Sequence, residues 1–159
     1  MKVQAVESLT DIPGGPDVVL VCVKNYSLDA VSRMIVSQIG ADRAMIVGLQ
    51  NGIENQVILP KHFKRVAFGI VGYNCWVDSP GVAGFQKKGP LVLGVLDSAL
   101  AEETRRVVAV INQGVETVFT EHLQDAAHSK MVVNLTNSLT TLVGHRFREI
   151  SDPAIFQKL

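Results

Sequence analysis

The sequence has 159 residues, a length that fits one ordinary domain or parts of two, and 47% of them are hydrophobic, which is enough for a sizeable core. Its 15 basic and 15 acidic side chains leave a formal net charge of zero. This balance argues against binding of nucleic acid or of an anionic membrane through bulk charge, and it weakens the repulsion that opposes self-association.

Targeting and membrane signals are not found in the sequence. The opening segment, MKVQAVESLTDIPGG, contains no apolar stretch of signal-peptide length. No apolar run reaches the ~18 residues that a membrane-spanning helix needs. We therefore expect a cytoplasmic protein.

The two cysteines, Cys22 and Cys75, lie in apolar surroundings, VLVCVK and GYNCWV. We expect two buried free thiols, and a disulfide between them stays open. We predict no metal site, because the histidines are scattered and lack the spacing of metal ligands. These histidines are His62, His122, His128 and His145.

The first 50 residues predict a parallel strand–helix–strand unit. The run DVVLVCV at 17–23 is typical of a strand that is buried on both faces of a parallel sheet. Residues 27–39 have helical apolar spacing, with Ser27 as the expected N-cap and Gly40 as the expected stop. A second buried strand follows at 44–49, and the short connections favour a parallel βαβ unit.

Further along, the pattern predicts a short helix at 53–59, a strand at 65–73, two strands within 82–96, a helix at 99–112 and a strand at VETVF. A long apolar helix is expected over 123–142, ended by Gly144, with a fresh helix near Pro153. Strands and helices alternate only up to about residue 120, so we place a boundary at 118–124. The predicted fold class is α/β: a partial Rossmann-type parallel sheet (1–120), followed by the start of an all-helical domain (121–159).

Two polar clusters follow the first two predicted strands. Lys24 comes directly after the first strand, and Gln50, Asn51 and Gly52 come after the second. Ligands of open α/β sheets bind outside the carboxyl ends of the strands, so both clusters are expected at one binding edge. The alternatives are that Lys24 is a solvated charge and that Asn51 and Gly52 only form a turn.

The third cluster is HSKMVVNLTNSLTTL at 128–142. Lys130 and Asn134 are four residues apart and share a helix face, which Asn137 continues. Apolar residues cover most of the remaining surface, so we expect a buried helix. Burial would lower the pKa of the lysine and help it to exchange a proton near neutral pH. The alternative is a lysine at a helix end that reaches solvent, with Asn137 as an incidental polar residue.

In this order, CVKNYSLDAV, IVGLQNGIEN and KMVVNLTNSLTTL resemble the ketopantoate reductase (2-dehydropantoate 2-reductase) family of the 6-phosphogluconate-dehydrogenase-like superfamily. The resemblance covers almost the whole sequence, which in turn corresponds to the middle of the family. We expect the family's opening GxGxxG unit and most of its C-terminal helices to lie outside this sequence.

The resemblance implies NADPH-dependent reduction of a 2-keto acid, namely ketopantoate to pantoate in pantothenate biosynthesis. By the same resemblance, Lys130 would be the general acid that protonates the ketone oxygen. Asn134, Asn137 and Asn51 would bind the substrate. The residues that would contact NADP are Lys24, Gln50, Asn51 and Gly52.

One departure leaves the substrate open. Asn137 lies three residues after Asn134, whereas many members of the family place an asparagine four residues after the first. A related 2-keto acid or a β-hydroxy acid is therefore an alternative substrate.

The missing GxGxxG unit raises a second hypothesis, a non-catalytic remnant or interaction domain that keeps the fold. Half of a Rossmann sheet exposes a strand edge and apolar surface. We therefore expect a homo-oligomer, or complementation by the missing segments.

Overall fold

The computed structural model describes residues 4–87 and 89–147, and the side chains of these residues except 86, 87 and 136–147. Within this part of the chain, the main strands are β1 (Val18–Val21), β2 (Met45–Gly48), β3 (Val66–Val71), β6 (Leu91–Gly94) and β7 (Thr117–Phe119). Two more strands, β4 (Asn74–Ser79) and β5 (Val82–Lys87), form a separate hairpin. The helices are α1 (Asn25–Ile39), α2 (Asn55–Ile58), α3 (Ala101–Ile111) and α4 (Leu123–Phe147). Short 3-10 turns lie at Leu9–Asp11, Leu59–Lys61 and Ser98–Leu100.

The main sheet has the strand order β1-β2-β3-β6-β7. Strands β1, β2 and β3 are parallel, with Val19 opposite Ile46 and Ile46 opposite Val66. The predicted α/β fold with a partial Rossmann-type parallel sheet is thus confirmed, and so is the parallel βαβ unit. Strand β6 runs antiparallel to β3, because the β4–β5 hairpin rather than a crossover helix connects them.

Helices cover the two faces of the sheet and create two apolar clusters. On one face, Leu28 and Ile35 of α1 pack with Ile46 and Phe68 of the sheet. On the other face, Val107 of α3 belongs to a cluster with central-strand residues, which include Met45, Val47 and Leu93. All four residues of β2 are buried, as expected for a central parallel strand.

The expectation that β1 is buried on both faces was wrong. Val21 is 4% exposed, whereas Val18 is 36% and Leu20 is 45% exposed. The reason is position: β1 is the end strand of the sheet, and α3 contacts β6 and β7 at the other end. Within the described residues, one face of β1 therefore stays open to solvent.

The prediction of Gly40 as the stop of α1 is confirmed. Its φ is +83°, and its backbone N–H donates to the carbonyl of Val36 at 2.9 Å. The prediction of Ser27 as the N-cap was wrong, because Lys24 occupies that position with extended backbone. The N–H of Ser27 already donates to the carbonyl of Lys24 at 3.0 Å, so Ser27 belongs to the first turn.

The short strand β4 was not predicted, and all six of its residues are exposed. Helix α4 continues past the predicted stop at Gly144 to Phe147, since one interior glycine costs a helix only about 1 kcal/mol. The helix expected near Pro153 lies outside the described residues. In the described part of the chain, the helices lack the combination of length and apolarity needed to cross a membrane.

Candidate functional site

The parallel strands bring the predicted polar clusters to one edge of the sheet. Strands β1, β2 and β3 all end at this edge. Lys24 and Asn51 come three residues after the ends of β1 and β2, and Gly72 comes directly after β3. Helix α4 packs against β3 and β6 near the same edge. The fold therefore places a surface for ligands where open α/β sheets bind them.

A cleft of about 700 Å³ opens at this edge. This volume lies within the ~300–1,000 Å³ that small-molecule sites occupy. The structure brings four sequence-predicted residues to its walls: Lys24, Asn51, Lys130 and Asn134. The further residues that line the cleft are Leu49, Val71, Gly72, Tyr73, Asn74 and Cys75.

Helix α4 supplies the wall opposite the strand ends. Leu123 and Ala127, in its first turns, are 2% and 5% exposed and hold the helix against the sheet. Lys130 lies three residues after Ala127, so it points to the same side of the helix, and Asn134 follows one turn later. Both side chains line the cleft, as their shared helix face predicts.

The expectation that helix α4 is buried was wrong for one of its faces. Val132 and Leu135 are 63% and 65% exposed, and Lys130 is half-buried at the cleft. Within the described residues, no helix or strand packs over this apolar face. Apolar side chains on a helix predict burial only where another element covers that face.

The charges of the cleft favour an anion. Its lining contains two ammonium groups, Lys24 and Lys130, and three asparagines, Asn51, Asn74 and Asn134. The lining contains no aspartate or glutamate. A concave surface with one sign of charge concentrates ligands of the opposite sign, such as carboxylates and phosphates.

Gln50 and Gly52, the neighbours of Asn51, do not themselves line this cleft. Gln50 is 8% exposed, and its side-chain amide donates to the backbone carbonyls of Val21 and Val23 rather than pointing outward. Together with Asn51 and Lys130, these two residues line a pocket of about 10 Å³, roughly the space of one water molecule. Gly52 has a φ of +87°, so the QNG segment is a turn as well as a cleft wall. The side chain of Asn137, a predicted substrate ligand, lies outside the described residues.

Three cleft residues were missed in the sequence: Tyr73, Asn74 and Cys75, which follow β3. The rule that revealed Lys24 and Asn51, polar residues at a parallel strand's carboxyl end, applies to this segment too. The segment lacked a recognisable motif, and only its position after the third predicted strand could have identified it.

Both cysteines are free, as expected, but the expectation that they are buried was wrong. Cys22 lies at the exposed end of β1, and Cys75 lies in the exposed β4. Partial burial of the Cys22 thiol raises its pKa above that of an ordinary cysteine. Among the described residues, no group of three or more histidine, cysteine, aspartate or glutamate side chains could hold a metal ion.

Comparison with known proteins agrees with this geometry. The sequence profile of the ketopantoate reductase PanE/ApbA family matches residues 1–98, more than half of the chain. The 2-dehydropantoate 2-reductase of Halobacterium salinarum is 32% identical over 130 residues, which cover 79% of this chain and 42% of the relative. The chain thus spans less than half the length of this curated relative.

Solved structures show the same fold. The 2-dehydropantoate 2-reductase of Geobacter metallireducens has a TM-score of 0.71 and 27% identity, covering 87% of this chain and 46% of the other. A ternary structure of D-mandelate dehydrogenase with NADH and anilino(oxo)acetate has a TM-score of 0.71 and 21% identity, covering 80% of this chain and 42% of the other. At that identity, the second likeness concerns the fold alone.

The parallel sheet, with its cationic cleft at the carboxyl edge and a helix closing one side, defines a Rossmann-type α/β protein of the class that binds ligands at this edge. The profile match over residues 1–98 gives the particular family. The chain belongs to the ketopantoate reductase family.

Proposed function

We propose that this chain carries part of the active site of an NADPH-dependent 2-keto acid reductase whose substrate is 2-dehydropantoate. The observation that carries the proposal is the cleft that joins Lys24, Asn51, Lys130 and Asn134. A keto acid has a carboxylate and NADPH has phosphates, and both suit a lining with two lysines and no acidic group. The established activity of relatives with longer chains supports the same reaction.

In the proposed reaction, Lys130 is the general acid. Bound NADPH supplies the hydride that adds to the keto carbon of the substrate. The ammonium group of Lys130 gives one proton to the carbonyl oxygen, which becomes the hydroxyl of the product, and it regains a proton from water. The positive charge stabilises the oxygen most strongly as negative charge develops there in the transition state.

The amide side chains orient the two ligands. Asn134 lies on the same helix face as Lys130, and its amide can donate to a carboxylate while accepting from a hydroxyl. Asn51 lies on the opposite wall, at the strand ends, where it would contact both the ribose of the cofactor and the substrate. Lys24 would pair with a phosphate of the cofactor. These side chains thus offer donors for a phosphate of the cofactor and for the carboxylate of a keto acid.

Calorimetry with NADPH tests the site directly. We expect the wild-type chain to bind NADPH and Asn51→Ala to bind it more weakly. Lys24→Ala should also weaken binding, whereas Lys61→Ala, which removes an equal charge from an exposed lysine outside the cleft, should not. If binding is measured, ketopantoate turnover should be lost in Lys130→Ala. Absence of NADPH binding at millimolar concentration would overturn the proposal for this chain.

We also propose that the chain self-associates through apolar surface. Leu20 on the end strand is 45% exposed, and Val132 and Leu135 on α4 are 63% and 65% exposed. Exposed strand edges and clustered apolar side chains favour contact with a second chain. Sedimentation at increasing concentration should show a rise in mass, and a monomer at every concentration would contradict the proposal.

We also propose the division of the chain into a sheet domain (1–120) and a helical domain that begins at 121.

A further inference from the structure

We infer that Asn25, Gln50 and Asn55 form a positioning network, termed here the amide clamp, that fixes the backbone of Lys24 and Asn51 at the cleft. The inference rests on the proposed function of the cleft and concerns residues that do not themselves line it. It is carried by a set of side-chain hydrogen bonds that join the ends of β1 and β2.

The first part of the clamp runs from β2 to β1. The Nε2 atom of Gln50 donates to the carbonyl of Val21 at 2.7 Å and to the carbonyl of Val23 at 3.0 Å. Strand β1 ends at Val21, so the carbonyl of Val23 lies beyond the regular pairing of the two strands. Gln50 therefore extends the connection between the strands up to the residue that precedes Lys24.

The second part runs in the opposite direction. The Nδ2 atom of Asn25 donates to the backbone carbonyl of Asn51 at 3.0 Å. Asn25 is the residue after Lys24, and Asn51 is the residue after Gln50. Each strand end thus holds the other through one side chain, and the two cleft residues, Lys24 and Asn51, sit between these attachments.

Asn55 orients the glutamine. Its Nδ2 atom donates to Oε1 of Gln50 at 3.3 Å, and Asn55 is 2% exposed. Because Oε1 is occupied as an acceptor, the Nε2 atom of Gln50 is directed towards the carbonyls of Val21 and Val23. Gly48 lies beside this pair: a Cβ atom there would lie 3.0 Å from Gln50 Oε1 and 3.2 Å from Asn55 Nδ2, and only 2.5 Å from Leu59 Cδ1.

The clamp contains two unsatisfied oxygens, which argues against a role in stability alone. The Oδ1 atoms of Asn25 and Asn55 are buried, and neither has a hydrogen-bond partner among the described residues. A buried acceptor without a donor costs free energy, and apolar side chains of similar shape avoid that cost. The asparagines are therefore better explained by the direction that their Nδ2 donors give to the chain near the cleft.

The first test measures rigidity and needs no ligand. We expect the backbone ¹⁵N order parameters of Asn51 and Gly52 to be about 0.85 in the wild-type chain and below about 0.6 in Asn25→Ala. Gly81, a turn glycine with a similar φ of +79°, serves as the internal reference and should not change. Unchanged order parameters at Asn51 and Gly52 would overturn the clamp.

The second test measures NADPH affinity. Asn25→Ala and Gln50→Met should each raise the Kd about three- to tenfold, the effect of one hydrogen bond. In an Asn51→Ala background, Asn25→Ala should have a smaller effect than in the wild type, because part of its effect acts through the side chain of Asn51. Additive effects in the double variant would overturn the inference.

A matched variant separates positioning from stability. The Oδ1 atom of Asn112 accepts from the N–H of Thr117 at 2.9 Å, a side-chain bond to backbone that is remote from the cleft. Asn112→Ala should lower the melting temperature while leaving both the NADPH Kd and the order parameter of Asn51 unchanged. A wild-type chain without NADPH affinity would refute the proposed function, and the order parameters would still decide for or against the clamp.

Discussion

The guanidinium of Arg65 forms a two-point ion pair with the carboxylate of Glu103, with Nε and Oε2 separated by 3.3 Å. Arg65 directly precedes β3, and Glu103 lies in the first turn of α3, so the pair attaches the helix to the sheet. Arg65 also donates to the carbonyl of Asp42 at 3.3 Å, in the segment before β2. The hydrogen bond with the carboxylate of Glu103 raises the pKa of Arg65 above its ordinary value.

We expect Glu103→Gln to lower the free energy of unfolding by about 1 kcal/mol, because a partly buried two-point pair exceeds an ordinary surface pair. Urea denaturation at neutral pH measures the loss. The control is Lys64→Gln, which removes an ion pair to Asp42 (3.2 Å) whose side chains are 82% and 60% exposed. Equal losses for the two variants would contradict the structural role of Arg65 and Glu103.

Ligand binding should protect Cys75 but not Cys22 from alkylation. Cys75 lines the cleft, and Cys22, at the end of β1, does not. With Cys22→Ser, saturating NADPH should slow the reaction of the remaining thiol with iodoacetamide about tenfold, the effect of covering most of an exposed site. With Cys75→Ser, the rate should be the same with and without NADPH. Protection of Cys22 alone would place the ligand outside the cleft.

The Cys22 thiol should ionise at a higher pH than an ordinary cysteine. Partial burial disfavours the thiolate and raises the pKa of Cys22. Since the thiolate is the reactive form, the alkylation rate of Cys75→Ser should reach half of its maximum above about pH 8.5, the value for a free cysteine. A midpoint at or below that of a free cysteine would show that the thiol is fully solvated.

Asp29 should make stability depend on pH in the acid range. A hydrogen bond from Arg33, followed by one from His62 (Nε2 to Oδ1, 2.8 Å), lowers the pKa of Asp29. A lowered pKa means that the carboxylate stabilises the fold above the unfolded-state pKa of about 3.9, and that this contribution is lost as the pH falls through the folded-state value. Asp29→Asn should therefore lower the melting temperature at pH 7.

The difference between Asp29→Asn and the wild type should disappear as the pH is lowered below the folded-state pKa of Asp29. Arg33→Gln removes the larger cause of the shift, so it should move the wild-type acid transition to higher pH. Thermal melts across pH 2–7 at constant salt would measure both effects. A difference that persists unchanged at the lowest pH would assign the effect of Asp29→Asn to packing instead.

The central strands were predictable because their apolar runs match their environment. All residues of β2 are buried, and the run at 44–49 had indicated this. The same type of apolar run led to a prediction of too much burial for β1, where Leu20 is exposed. A sequence pattern records the apolar character of a face, but the neighbour that covers it lies elsewhere in the chain or in another molecule.

The site was predictable where one geometric rule applied. Lys24 and Asn51 follow parallel strands, and Lys130 and Asn134 share a helix face, so their convergence on one cleft follows from strand direction and helix period. The hydrogen bonds of the amide clamp were not predictable. They depend on side-chain directions that become defined only after β1 and β2 have paired, as does the buried position of Gln50.

Among the residues of helix α4 whose side chains the structure describes, the buried Leu123 and Ala127 anchor its beginning to the sheet. With a rise of 1.5 Å per residue, Lys130 lies about 4.5 Å and Asn134 about 10.5 Å along the axis beyond Ala127. A small tilt about this anchor therefore moves Asn134 roughly twice as far as Lys130. For any given tilt, the distance between Asn134 and the strand ends would change more than the position of Lys130, so the width of the cleft is most sensitive to the helix direction at Asn134.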